Sequence, residues 1–149
     1  MTSNIDIKGE WAEAIGKLLI AFGQIEHITI VYLNNQTTIS KNIIGKANFS
    51  TRIDLIVKFL KKSTDINHAE FISLLKEAQK LSKKRNHIAH NPLLLEVFNF
   101  SDGTNYKREF IASSRAPHER ISLEELKLLS NNTYSILNSI YKCCNIVLA

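Results

Sequence analysis

Cysteine is nearly absent: the chain has two in 149 residues, Cys143 and Cys144, and they are adjacent. Neighbouring cysteines cannot easily bridge each other, and no other thiol is available. That excludes a secreted disulfide framework and fits a reducing compartment. The pair reads instead as small apolar filler near the C-terminus. Unbroken apolar runs are also short, and none reaches the ~18 residues of a membrane span. Met1 to Asp6 have neither a basic start nor an apolar run, so no signal peptide is expected. A cytoplasmic protein with no membrane partner follows as the expectation. Glycine, with five residues, and proline, with two, are too scarce for a low-complexity chain, and no internal repeat is present. No Asp/Glu cluster resembles the carboxylate sets that hold paired Mg²⁺ ions. No metal and no cofactor are expected.

What remains has the size and balance of one domain spanning 1–149. Apolar residues make up 44% and charged residues 22%, ordinary for a chain with a packed core. Nineteen basic against fourteen acidic residues give a net charge of +5, which suits an anionic partner and equally a lysine-biased soluble surface.

Periodicity organises the chain. Trp11, Ile15, Leu18, Phe22, Ile25 and Thr29 to Tyr32 recur at threes and fours, predicting a helix from about Lys8 to Tyr32. Gly16 and Gly23 lie seven apart on one stripe of it, which predicts a close helix approach there. Asn34 to Asn48 reads as a loop with a turn near Asn42-Ile43-Ile44. A second helix is expected from Ser50 to Lys62, with Ser50 or Thr51 as cap. Asn67-x-x-Glu70 reads as a capping box opening a third helix, which must end near His90 because Pro92 forces Asn91 out of helical geometry. Two apolar runs around Ser101-Asp102-Gly103-Thr104-Asn105 predict a hairpin over 93–112. Pro117 falls in a polar connector. Ser122-x-x-Glu125 is a further capping box, starting a long last helix.

The segment Lys83-Lys84-Arg85-Asn86-His87-Ile88-Ala89-His90-Asn91-Pro92 carries the chemistry. With Asn86 as zero on a wheel of 100° per residue, Gln79, His90, Lys83, Lys76 and His87 fall between about 20° and 100°. Phe71, Leu74, Ala78, Leu81 and Ile88 fall on the other side. The third helix thus has an apolar back and a front of two histidines and two lysines. Arg85 lies about 140° from His90, but its long side chain starts at the rim of that front and can reach around. Histidine exchanges protons near neutral pH, and arginine's planar fork matches a phosphate. RNA brings its own nucleophile, the 2′-OH. The bland alternatives are a solvated helix face, or a half metal site at His87 and His90 whose other ligands are missing.

Arg85-Asn86-x-x-x-His90 resembles the R-x(4–6)-H signature of the HEPN superfamily. The order of helices is similar, and Phe22-Gly23-Gln24-Ile25-Glu26 looks like HEPN first helices. The resemblance implies an all-α fold: a bundle of four main helices with a β-hairpin inserted before the last. It implies a metal-independent endoribonuclease of a toxin or anti-phage defence system, acting as a homodimer whose two motifs form one composite site. His90 would be the acid/base, Arg85 the phosphate-binding group and Asn86 a positioning group. Lys76, Gln79, Lys83 and His87 would contact RNA, and Glu26 could orient a histidine or pair with Arg85. An antitoxin or another defence-system protein would be a further partner. Both Arg85→Ala and His90→Ala are expected to leave stability nearly unchanged. The chain departs from the common toxin subgroup at Pro92, where that subgroup has a tyrosine. Two other readings stand beside this one. The first is a catalytically silent HEPN module that binds a nucleotide, nucleic acid or protein. The second is a helical assembly protein in which Arg85 pairs across a dimer interface.

Overall fold

The computed structural model describes residues 9–144. Its elements run α1 (Glu10–Gln36), α2 (Lys41–Lys46), α3 (Phe49–Leu60), α4 (Ile66–His90), β1 (Leu93–Asn99), β2 (Asn105–Ser113), β3 (Ala116–Ile121) and α5 (Leu123–Cys144). The three strands form one antiparallel sheet in the order β1-β2-β3. The expected all-α class is therefore overturned: five helices are combined with a three-stranded sheet.

The difference lies mainly in 116–121. This stretch reads as a polar connector because it carries Pro117, His118, Glu119 and Arg120. It pairs with β2 through Ile111↔Ile121 and Ala112↔Arg120, with a register irregularity at Ala112/Ser113. Charged residues and proline are what a sheet edge tolerates, so an edge strand imitates a loop in sequence. The hairpin itself pairs from Leu93↔Ile111 to Asn99↔Asn105. Its turn is closed by Phe100 N–H donating to Thr104 O at 2.9 Å, with Gly103 at φ +84°. Asp102 accepts from the Thr104 amide and hydroxyl at 2.9 and 2.6 Å, and these bonds hold its carboxyl below the usual aspartate value.

Helix ends follow local chemistry, though not always at the expected residue. Ser122 and Glu125 do form a reciprocal box: Glu125 N–H donates to Ser122 Oγ at 3.2 Å and Ser122 N–H to Glu125 Oε2 at 2.9 Å. The Asn67-Glu70 box does not form. α4 starts earlier, capped by Asp65, which accepts from Asn67 N–H at 2.8 Å. Asn48, not Ser50 or Thr51, caps α3, accepting from Thr51 N–H at 2.8 Å. The predicted close approach at Gly16 and Gly23 is also absent, since a Cβ at either position would meet no atom within 4 Å.

α1 is the central helix. Leu18, Phe22, Ile25, Ile28 and Leu33 are fully buried along it. No unbroken apolar run of membrane length marks it, yet an 18-residue window averages a hydropathy of 1.4, long and apolar enough to cross a membrane, with 39% of that window buried in the fold. Two apolar clusters result. The larger joins α1 to α2, α3, the first half of α4 and the last half of α5. The smaller gathers Trp11, Leu18, Ile88, Ile111, Leu126 and Leu129, so the sheet, the start of α5 and the last turns of α4 meet on the N-terminal half of α1. Trp11 Nε1 donates to Glu109 Oε2 at 2.8 Å and pins α1 to β2.

Candidate functional site

Ile88 fixes the last turns of α4. It is 4% exposed and anchored in the smaller cluster, so the residues two positions before and after it, about 160° round the helix, face outward. Asn86 and His90 are exposed on that outer surface, with Lys83 and Lys76 on the preceding turns. Gln79 and His87 are half-buried at its margins. The helix ends where Asn91 leaves helical geometry before Pro92, and Asn91 Nδ2 donates back to the His87 carbonyl at 2.7 Å.

Arg85 does not reach around to His90. It turns toward α1, where its Nη2 donates to Glu26 Oε1 and its guanidinium lies over the Phe22 ring, 4.7 Å from the centroid. The two side chains of the ion pair retain 20% and 30% of their exposure. Arg85 Nε is buried and has no hydrogen-bond partner among the described residues. Within one chain, then, the structure joins Arg85 to Glu26 and Phe22, and leaves Asn86 and His90 open beside them. The pairing gives Arg85 contacts whose loss would cost stability, contrary to the expectation from sequence that Arg85→Ala costs little.

A second arginine lies behind this pair. Arg52 on α3 is 8% exposed, donates from Nε to Thr29 Oγ1 at 2.9 Å, and donates from Nη1 to the Ala47 carbonyl. Burial pulls its pKa below the ordinary arginine value, and the charge of Glu26 opposes that shift. Glu26 thus serves one arginine directly and a second through space. The sequence held a signal for Arg52: four residues before Ile56 and one before Ile53, it sits on the apolar face of its own helix.

Round α4 from Arg85 the surface changes. Lys83, Lys84 and His87 border a cavity of about 470 Å³ whose other walls come from β3 and α5. Its β3 residues, Glu119 and Arg120, carry no site signal in the sequence, where a polar edge strand reads as a connector. His87 Nε2 is buried without a hydrogen-bond partner among the described residues.

The remaining chemistry is sparse. Among the described residues no group of three His, Cys, Asp or Glu side chains converges as metal ligands would. Burial pushes the Cys143 and Cys144 thiols above the ordinary cysteine value, which makes them poor nucleophiles. No known protein family, curated protein or solved structure matches the chain.

Proposed function

We propose that the chain is a HEPN-type, metal-independent endoribonuclease of a toxin or anti-phage defence system, cytoplasmic and active as a homodimer. The observation that supports this reading is the last turn and a half of α4. There an arginine oriented by Glu26 stands beside an exposed asparagine and an exposed histidine, on a helix whose outer face carries lysines.

The proposed chemistry uses the substrate's own nucleophile. His90 takes the proton of the RNA 2′-OH as that oxygen attacks the adjacent phosphorus. The bond from phosphorus to the 5′-oxygen breaks, and that oxygen takes a proton from water, while the proton held by His90 is later released to solvent. Arg85 offsets the charge that builds on the non-bridging oxygens. The products are a 2′,3′-cyclic phosphate and a 5′-hydroxyl. Because Arg85 faces α1 and His90 stands about 140° round the helix, one chain does not set both on one phosphate. A two-fold pairing of α4 C-termini sets the His90 of one copy against the Arg85 of the other, and a C2 interface presents the same patch to itself.

One observation favours a second reading, the silent binding module. The Arg85 charge is met by Glu26 and its plane is covered by Phe22, which suits a structural arginine as well as a phosphate ligand. Purified protein incubated with total RNA in EDTA separates the two. The ribonuclease reading requires cleavage by the wild type and a loss of about 10²–10⁴-fold in His90→Ala. Absence of cleavage, or cleavage that survives in His90→Ala, removes it.

A further inference from the structure

The cavity beside α4 has a definite chemical asymmetry. Two of its walls are charged in opposite senses, and its floor is apolar. On the α4 side stand Lys83 and Lys84, both exposed and neither in an ion pair among the described residues. On the β3 side stands Glu119, exposed and likewise outside any such pair. The other charged groups at the cavity are already engaged. Arg120 donates to Glu96 at 2.8 Å and lies 4.2 Å from the Phe110 centroid, while Glu125 serves the cap of α5. Ile121 and Leu129 supply the apolar floor.

The volume of about 470 Å³ falls in the range of small-molecule sites. Two lysines on the α4 wall call for a phosphate. An apolar floor calls for the face of a planar ring. A free carboxylate at the other wall calls for hydrogen-bond donors on the ring edge. Among the four RNA bases only guanine carries two adjacent N–H donors on its Watson–Crick edge, at N1 and N2, which a carboxylate accepts in bidentate fashion. Adenine and cytosine place a ring-nitrogen acceptor next to their amino group, and uracil flanks its one N–H with two carbonyls. Each of those would set a lone pair against the Glu119 oxygens. His87 also borders the cavity, although its Nε2 is shut off from solvent and has no hydrogen-bond partner among the described residues.

We infer that this cavity is a nucleotide subsite for a guanosine phosphate unit, with the phosphate at Lys83 and Lys84, the base on Ile121 and Leu129, and Glu119 reading the base edge. The inference rests on the reading that the outer face of α4 meets RNA, and it adds the base preference. The same chemistry fits a guanosine unit within a strand or a free guanosine monophosphate.

Calorimetric titration of the wild-type protein in EDTA with GMP, UMP and inorganic phosphate tests it directly. GMP is expected to bind at least about 10-fold more tightly than UMP, in line with the discrimination of a good bidentate base contact. Inorganic phosphate should bind more weakly than GMP. Glu119→Gln, a change at an exposed position, should bring GMP down to the level of UMP, and Lys84→Glu should weaken both. Equal binding of GMP, UMP and phosphate, or a guanine preference that survives in Glu119→Gln, overturns the subsite. A second arm compares an all-uridine RNA octamer with one holding a single guanosine. A preference for the guanosine octamer supports a strand occupant. A preference seen with GMP alone supports the free nucleotide as the occupant. Guanine selectivity without RNA cleavage retains the subsite and removes the ribonuclease. His90-dependent cleavage without guanine selectivity does the reverse.

Discussion

Replacing Arg85 by alanine should destabilise the protein by about 2–3 kcal/mol, whereas replacing His90 should cost no more than about 0.5 kcal/mol. The first figure has three parts. A charge-assisted hydrogen bond is worth roughly 1.5–3 kcal/mol when shielded. With the Arg85 and Glu26 side chains still 20% and 30% exposed, solvent screening reduces it to about 1 kcal/mol. The guanidinium over Phe22 adds about 0.5–1 kcal/mol. Loss of the half-buried stem beyond Cβ adds roughly 1 kcal/mol. For a domain near 150 residues each kcal/mol moves the melting temperature by about 2–4 °C, so Arg85→Ala should melt roughly 5–10 °C lower. His90 is exposed, and its loss should move the transition by about a degree. Thermal unfolding followed by circular dichroism reads both. A double-mutant cycle with Glu26→Ala should return a coupling of about 1 kcal/mol. Activity must then be compared well below the melting point of Arg85→Ala, or lost cleavage would only report lost fold. An Arg85→Ala protein that melts with the wild type, together with zero coupling to Glu26, would refute the assigned role of this pair.

Three other outcomes are expected. Light scattering at micromolar concentration should report about twice the 16.9 kDa chain mass, and a strictly monomeric protein that still cleaves RNA would exclude the composite site. Cleavage should persist in EDTA and fail on an RNA with a single 2′-deoxy nucleotide at the cut position, while cutting of the deoxy substrate would exclude attack by the 2′-OH. Ser122→Ala should cost about 1 kcal/mol by removing one half of the capping box at α5, and an unchanged denaturant midpoint would show that the Glu125 half alone caps the helix.

Much of this protein was legible before folding, because the signals were local. The polar front and apolar back of α4 follow from spacings of three and four residues, so Ile88 could be placed inside and His90 outside by counting. The end of α4 followed from the Asn91-Pro92 dipeptide. The box at Ser122 and Glu125 was readable because both partners lie within one turn of helix. Local rules also misled where two candidates competed. Asp65 and Asn67 both suit a helix start, and the cap fell to Asp65, which lies just ahead of the first helical residue.

Other features needed the folded chain. Strand β3 has no apolar alternation of its own. What makes it a strand is the free edge of β2, and sequence periodicity cannot register a partner. The direction of Arg85 was likewise open, since a side chain that long can swing to either rim of its helix. Glu26, 59 residues earlier, decides it once α1 and α4 pack together. The cavity is the extreme case, because its cations, its carboxylate and its floor come from three elements that only the tertiary fold brings together. Sequence determines what repeats within a turn of helix. Charge placement across elements is set by which backbones meet, and that depends on burial summed over the whole core.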